Sequence, residues 1–162
     1  MAADRRTVAL DLGSRRIGVA LCDSAGTVAT PYEVLARSGD RARDHREIAR
    51  LVHEADAVRV VVGLPRALDG TVGIAAEGVL AEVEQLREAL PVPVHTWDER
   101  LTTVTAERSL RQAGVGGRKR RQVVDQLAAT VILQAWLDAE AAGTNPSAAS
   151  SGPPGEPTGA NA

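Results

Sequence analysis

Asp11 is the first residue whose type and position could support chemistry. It follows the apolar residues 8–10 and precedes Leu12-Gly13, at the end of a predicted central strand. Burying an unpaired carboxylate is costly, so this group must be paired, protonated or bound to a metal ion. The structural alternative is that Asp11 caps the following turn through its side chain. We favour a functional role for Asp11.

Asp98 and Glu99 form a second acidic position of the same kind, because they end the predicted strand 92–97. Two strands of one sheet would then bring carboxylates to one region. Consecutive strand residues point to opposite faces, so we expect one acid to be a ligand and the other to be structural. The alternative is a turn acid near a helix N-terminus that interacts with the helix dipole or with Arg100.

Asp125 is the third acidic position, and its helical spacing is informative. Residues 125, 128, 129, 132 and 136 fall on one helix face, and the other four are Ala128, Ala129, Ile132 and Trp136. The alternative is an exposed acid paired with Arg121, but that does not explain an acid on the apolar stripe. We therefore favour a functional role for Asp125 as well.

These three acidic positions predict a metal-dependent hydrolase. Mg²⁺ and Mn²⁺ prefer oxygen ligands. Three converging carboxylates could hold two such ions about 4 Å apart, one activating the attacking water and one stabilising the leaving oxygen of a phosphodiester. The histidines His45, His53 and His95 lack zinc-site spacing and adjoin no nucleophile motif, so we interpret them as surface or core residues.

Two basic segments flank the proposed site. Arg15 and Arg16 lie in the loop after Asp11, and residues 116–121 are predicted to form a mobile basic loop before the helix that carries Asp125. Arg15, Arg16, Arg118, Lys119 and Arg120 are candidate contacts to nucleic-acid phosphates. The net charge of −2 gives this hypothesis no support, since nucleic-acid-binding proteins are usually basic.

The elements that must position these residues follow from hydrophobic periodicity. Strands are predicted at residues 7–12, 17–22, 27–35, 57–64 and 92–97, and helices at 44–55, 73–90, 103–113 and 122–142. Pro31 favours a sheet edge for the third strand. In the second helix, Glu77, Glu82, Glu84 and Glu88 are predicted to point outward. The order β-β-β-α-β-α-β-α-α predicts an α/β fold with a mixed five-stranded sheet flanked by helices.

Composition predicts one domain and a tail. Residues 1–142 suffice for one core, whereas residues 143–162 are rich in Gly, Pro, Ser and Ala, contain no Val, Ile, Leu or aromatic residue, and are predicted to be disordered. No apolar run is long enough for a signal peptide or a membrane span, so we expect a soluble cytoplasmic protein. The single cysteine, Cys22, is interpreted as a buried strand residue.

Four motifs in order resemble the YqgF/RuvX family of ribonuclease H-like proteins. They are LDLGSRRIGVA at 10–20, VGLP at 62–65 with Asp69-Gly70, DERLTT at 98–103, and VDQLAA at 124–129. The resemblance implies a ribonuclease H-like fold with Asp11, Glu99 and Asp125 as metal ligands and Asp98 as the alternate to Glu99. Where this family often has Ser-Thr-x-Glu, the chain has Thr-Thr-Val-Thr at 102–105, so the usual helix-capping Glu is absent.

The resemblance also implies a function, namely processing of the 5′ end of pre-16S rRNA. One alternative is Holliday junction resolution, which requires two sites and hence a homodimer. A second alternative is a non-catalytic RNA-binding factor in ribosome assembly. The first loop also resembles the phosphate loop of actin-like ATPases and sugar kinases, but about 140 ordered residues cannot supply the two lobes that those proteins need.

Overall fold

The computed structural model describes residues 3–65, 72–101 and 118–144, with the backbone alone at 101 and over 118–126. Five strands are present: β1 (Thr7–Leu12), β2 (Arg16–Cys22), β3 (Ala29–Ala36), β4 (Arg59–Leu64) and β5 (Val94–Asp98). Three helices accompany them: α1 (Arg41–Glu54), α2 (Ile74–Ala89) and α3 (Arg118–Ala141), and a 3-10 turn (Glu99–Leu101) follows β5. The predicted helix 103–113 lies outside the described residues, as does the predicted tail beyond Thr144.

The strands form one mixed sheet in the order β3-β2-β1-β4-β5. β1 and β3 are antiparallel to β2, whereas β4 is parallel to both β1 and β5. The predicted five-stranded mixed sheet is therefore confirmed. Pro31 lies on the edge strand β3, as expected for a residue that cannot donate to a ladder.

The two faces of the sheet pack against different helices. Leu10 of β1 and its partner Val62 of β4 belong to the cluster that includes Ile48 of α1 and Leu86 of α2. Ala9 and Val61 alternate with them and pack with α3, in a cluster that contains Ala128, Ala129, Ile132 and Trp136. Since strand residues alternate between faces, the position of each β1 or β4 residue decides which helices it meets.

Two predictions about charged residues were wrong. Arg118, Lys119 and Arg120 belong to the first turn of α3 and do not form a mobile loop. Arg and Lys are good helix formers, so a basic run can begin a helix as readily as a loop. Glu82 does not point outward but is buried, because α2 packs where Arg37 and His45 supply hydrogen-bond donors to its carboxylate.

The start of α1 also lies three residues earlier than predicted. Asp40 is the N-cap, and its side chain accepts hydrogen bonds from the backbone N–H groups of Ala42 and Arg43. This cap satisfies donors that have no partner within the helix, and it fixes the first turn although that turn carries few apolar residues. Within the described ranges, none of the helices is both long and apolar enough to cross a membrane.

Candidate metal-binding site

Asp11 lies near the end of the central strand β1 and is 2% exposed. β1 is flanked by β2 and β4, so the predicted central position of the strand is confirmed. Alternation with Leu10 places Asp11 on the sheet face that carries Ala9 and packs against α3. This acid is therefore held on a rigid element and shielded from solvent.

Gly63 of β4 leaves the space that the site requires. Val62 of β4 is the register partner of Leu10 of β1. Gly63 follows Val62 and Asp11 follows Leu10, so Gly63 and Asp11 occupy corresponding positions on neighbouring strands. A Cβ atom on Gly63 would lie 2.4 Å from Cδ1 of Ile132 and 2.7 Å from Oε1 of Glu99. Only glycine fits here, and the Glu99 carboxylate rests directly against the β4 backbone.

Glu99 is buried at 1% exposure and begins the 3-10 turn that follows β5. Because β5 ends at Asp98 and the turn begins at Glu99, the side chains of these two residues point in different directions. Asp98 is engaged by Arg100, which donates from its backbone N–H at 3.0 Å and from Nη2 at 2.6 Å to the Asp98 carboxylate. The two adjacent acids thus have different surroundings, one against Gly63 and one in an ion pair with Arg100.

The stripe on α3 agrees with the predicted periodicity. Ala128, Ala129, Ile132 and Trp136 are all buried against the sheet. Position 125 lies on the same helix, about two turns before Ile132, but the Asp125 side chain is outside the described residues. Among the side chains that the structure describes, there is no group of three or more His, Cys, Asp or Glu residues placed to hold a metal ion.

The donor set around Gly63 fits a hard divalent cation. Asp11 and Glu99 supply carboxylate oxygens, which Mg²⁺ and Mn²⁺ prefer over nitrogen or sulfur ligands. Burial lowers the local dielectric and strengthens the attraction between a cation and these carboxylates. Glycine at position 63 keeps the space beside Glu99 clear of a side chain.

The predicted loop after Asp11 is a tight connection between β1 and β2. Arg15 is exposed and Arg16 is half-buried at the start of β2. A Cβ atom on Gly13 would lie 2.5 Å from the carbonyl oxygen of Arg16, so this turn also requires glycine. The structure therefore places Arg15 at the surface, four residues after the buried acid.

Sequence reasoning missed the contacts that support this loop. Arg37 donates from Nε to the Gly13 carbonyl at 2.9 Å, and its backbone N–H donates to the Arg15 carbonyl at 2.8 Å. The Arg37 guanidinium also donates to both oxygens of Glu82, at 2.7 and 2.9 Å. Helical spacing could have predicted the burial of Glu82, as it did for position 125. Glu82 lies among Val79, Val83 and Leu86 on the buried side of α2.

His45 and Cys22 are buried, His95 is half-buried and His53 is exposed, in line with the interpretation of the histidines as surface or core residues and of Cys22 as a buried strand residue. His95 stacks on Trp136 with ring centroids 6.1 Å apart, and its pKa is lowered by burial and by the charges of Arg59 and Arg87. His45 is buried beside Glu82. Burial raises the pKa of the Cys22 thiol, which keeps it protonated and unreactive at neutral pH.

Comparison with known proteins agrees with the fold and the motifs. A protein-family model described as "RuvX: Holliday junction resolvase" matches residues 5–139. A protein of Rhodococcus opacus (strain B4) named "Putative pre-16S rRNA nuclease" is 49% identical over 144 residues, which cover 86% of this chain and 81% of that protein. A protein of Desulforudis audaxviator (strain MP104C) with the same name is 46% identical over 140 residues, covering 86% of this chain and 99% of that protein.

Among solved structures, the chain is similar to RuvC of T. thermophilus in complex with a Holliday junction substrate. The TM-score is 0.55 at 16% sequence identity, and the match covers 86% of this chain and 97% of that chain. RuvC from Thermus thermophilus in another structure gives a TM-score of 0.52 at the same identity. These likenesses establish the ribonuclease H-like α/β fold expected from the motifs.

Proposed function

Because the chain belongs to the RuvX family, we propose that it is a nuclease that hydrolyses phosphodiester bonds and matures the 5′ end of pre-16S rRNA. The observation that carries the proposal is the pair of buried carboxylates, Asp11 and Glu99, on the α3 side of the sheet around Gly63. Buried acids are costly to maintain and are typical of a site that binds cations.

We propose that Asp11 and Glu99 hold Mg²⁺ or Mn²⁺ and that Asp125 of α3 completes a site for two ions. When bound, such ions polarise the phosphoryl group and lower the pKa of water, so no protein nucleophile is required. Asp11 and Glu99 fix the cations on the sheet, and the packing of α3 excludes bulk water from one side of the site. Asp98 is assigned a structural role through its ion pair with Arg100.

We propose that the substrate backbone is bound by Arg15 and Arg16 and by Arg118, Lys119 and Arg120 of α3. Arg15 is exposed next to the buried acid, so its guanidinium is accessible to a phosphate on the substrate. The three basic positions of α3 occupy its first turn, where backbone N–H groups and the helix dipole also favour anions. These contacts position the backbone without reading sequence.

RNA processing is proposed ahead of Holliday junction resolution because the relatives named for rRNA are 46–49% identical, whereas the junction-bound neighbour shares 16% identity. The family description keeps resolution as the second candidate, and resolution would require a homodimer that presents two sites. A non-catalytic assembly factor is the third. We further propose that the protein acts in the cytoplasm, with residues 1–142 as the nuclease domain and residues 143–162 as a tail that is dispensable for the chemistry.

A substrate panel tests the proposal. With Mg²⁺ present, the protein is expected to cleave labelled RNA that carries a 5′ extension of 16S rRNA and to cleave a four-way DNA junction and a linear duplex much less. Chelation by EDTA should stop cleavage, and readdition of Mg²⁺ should restore it. Preferential cutting of the junction would favour resolution, and binding of the RNA without any cutting would favour the assembly factor.

The Asp98/Glu99 assignment gives a second prediction. Glu99→Gln should lower the cleavage rate by about 10²- to 10³-fold, the loss typical when one charge-stabilising group is removed from a preorganised site. Asp98→Asn should lower the rate by less than about tenfold, because the Asp98 carboxylate is occupied by an ion pair with Arg100 and is not a proposed ligand. Initial rates and thermal unfolding of both variants provide the measurement. A larger loss of cleavage in Asp98→Asn than in Glu99→Gln would reverse the assignment.

A further inference from the structure

We propose that Arg37, Glu82 and His45 form a positioning network that holds the loop between β1 and β2, residues 13–15, in the conformation that presents Arg15 to the nucleic-acid backbone. This inference rests on the proposed nuclease function only for the role of Arg15. The network itself joins three parts of the fold, namely the segment after β3, helix α1 and helix α2, to one short loop.

The contacts form a continuous chain from the core to the loop. His45 Nε2 of α1 lies 2.7 Å from Glu82 Oε2 of α2. The two Glu82 oxygens accept hydrogen bonds from Nη1 and Nη2 of Arg37, and the third nitrogen of that guanidinium, Nε, donates to the Gly13 carbonyl. Each of the three nitrogens of the Arg37 guanidinium therefore has a hydrogen-bond acceptor.

The geometry of Arg37 fixes its orientation toward the loop. A guanidinium paired with a carboxylate through two parallel hydrogen bonds cannot rotate without breaking both. The side chain of Glu82 is 3% exposed and that of Arg37 is 16% exposed, so water competes weakly for these bonds. Nε is consequently aimed at Gly13, while the Arg37 backbone N–H holds the Arg15 carbonyl.

The charge state of Glu82 agrees with this arrangement. Burial alone would raise the pKa of Glu82, but hydrogen bonds from Arg37 and His45 and the charges of Arg37 and Arg41 outweigh burial and lower it. Glu82 is therefore ionised at neutral pH and keeps its charge-assisted bonds to Arg37.

A second, half-buried Arg–Glu pair provides a matched control. Arg59 lies 2.9 Å from Glu140 and donates from Nε to Thr7 Oγ1, at the starts of β4 and β1. This pair resembles Arg37–Glu82 in chemistry but sits at the opposite end of β1 from the loop. Arg37→Met and Arg59→Met should therefore both lower the free energy of unfolding, whereas only Arg37→Met should release the loop.

Two measurements distinguish positioning from general stability. Hydrogen exchange of the backbone amides of residues 14–16 should accelerate at least tenfold in Arg37→Met and remain near the parent rate in Arg59→Met. With the 5′-extended RNA as substrate, Arg37→Met should raise KM by about tenfold with kcat within about threefold, in line with the 10–100-fold effects of residues that orient others.

A double-mutant cycle tests whether Arg37 acts through Arg15. In an Arg15→Ala background, Arg37→Met should no longer raise KM, because the group that it positions is absent. Glu82→Gln is the second variant should Arg37→Met fail to fold, and it should show the same loop exchange and KM change to a smaller degree. Unchanged exchange at residues 14–16 in a folded variant, or a fully additive cycle, would overturn the network.

The exchange measurement separates this inference from the proposed function. If the parent protein cleaves none of the nucleic acids, the nuclease proposal fails, yet accelerated exchange of residues 14–16 in Arg37→Met alone still supports the network. If the parent cleaves RNA and the loop exchange of Arg37→Met equals that of Arg59→Met, the network fails and the nuclease proposal stands.

Discussion

Asp11→Asn is expected to reduce RNA cleavage by at least about 10²- to 10³-fold, the loss typical when a charge-stabilising group is removed from a preorganised site. The carboxylate lies buried on the central strand and is the proposed ligand with the most rigid support. Asparagine keeps the size and one oxygen but removes the negative charge that attracts a divalent cation. Initial rates over a range of Mg²⁺ concentrations would measure the loss.

The same titration reports how the loss arises. If Asp11 holds the cation, the variant should need a higher Mg²⁺ concentration for half-maximal rate, and its circular dichroism spectrum should match that of the parent. Asp23→Asn is a suitable control, because Asp23 is an exposed turn acid bonded to Thr27 and follows the end of β2 that is opposite the loop after Asp11. Undiminished cleavage by Asp11→Asn would end the metal–carboxylate hypothesis.

Gly63→Ala is expected to have the second largest effect, on both stability and cleavage. The new methyl group would overlap Ile132 Cδ1 and Glu99 Oε1, at 2.4 and 2.7 Å. Both side chains are buried and have little room to move, and overpacking of this kind costs about 1–3 kcal/mol. Displacing Glu99 by about 1 Å should also lower the cleavage rate by about 10²-fold. Urea unfolding and initial rates measure the two effects separately.

A double variant separates the two overlaps. In Gly63→Ala/Ile132→Val the Cδ1 atom is gone, and of the two contacts with residue 132 only the one corresponding to Cγ1, 3.3 Å away, remains. We expect this double variant to regain stability relative to Gly63→Ala but not cleavage, since the overlap with Glu99 persists. Recovery of both would show that the Glu99 position does not control activity.

Gly78→Ala controls for the glycine substitution itself. Gly78 lies on the exposed side of α2, and a Cβ there would meet nothing within 4 Å. Alanine at this helical position should stabilise the protein by about 0.5–1 kcal/mol, because glycine loses more backbone entropy on folding. Cleavage should be unchanged. The opposite effects of the two Gly→Ala variants would then reflect their surroundings alone.

Periodicity and local chemistry were sufficient to predict most elements of this fold. Short apolar runs bounded by turn residues predicted all five strands, and the bounds of β1, Thr7 and Leu12, are exact. The stripe of Ala128, Ala129, Ile132 and Trp136 correctly indicated the buried face of α3. Such patterns depend on the 2.0- and 3.6-residue repeats of strands and helices, which are local properties of the chain. Asp11 was likewise recognisable as an acid in an apolar run.

Only the tertiary structure decided which groups meet. Asp98 and Glu99 are adjacent in sequence and both carry a carboxylate, and their different surroundings follow from the turn after β5 and from the position of Gly63 on the neighbouring strand. Gly63 falls within the predicted strand 57–64, and only the packing of Ile132 and Glu99 against it shows why a side chain is excluded there. Steric exclusion by residues distant in sequence cannot be read from a local pattern.

The buried cluster of Arg37, His45 and Glu82 likewise could not be predicted from local sequence patterns. Glu82 was predicted to face solvent because acids on amphipathic helices usually do, and its burial required Arg37 and His45 from two other segments. The cost of burying that charge is offset only by partners up to 45 residues away in the chain. The sequence by itself therefore determined the elements and the candidate acids, whereas long-range hydrogen bonds and close packing decided how those acids and their supporting loop are held.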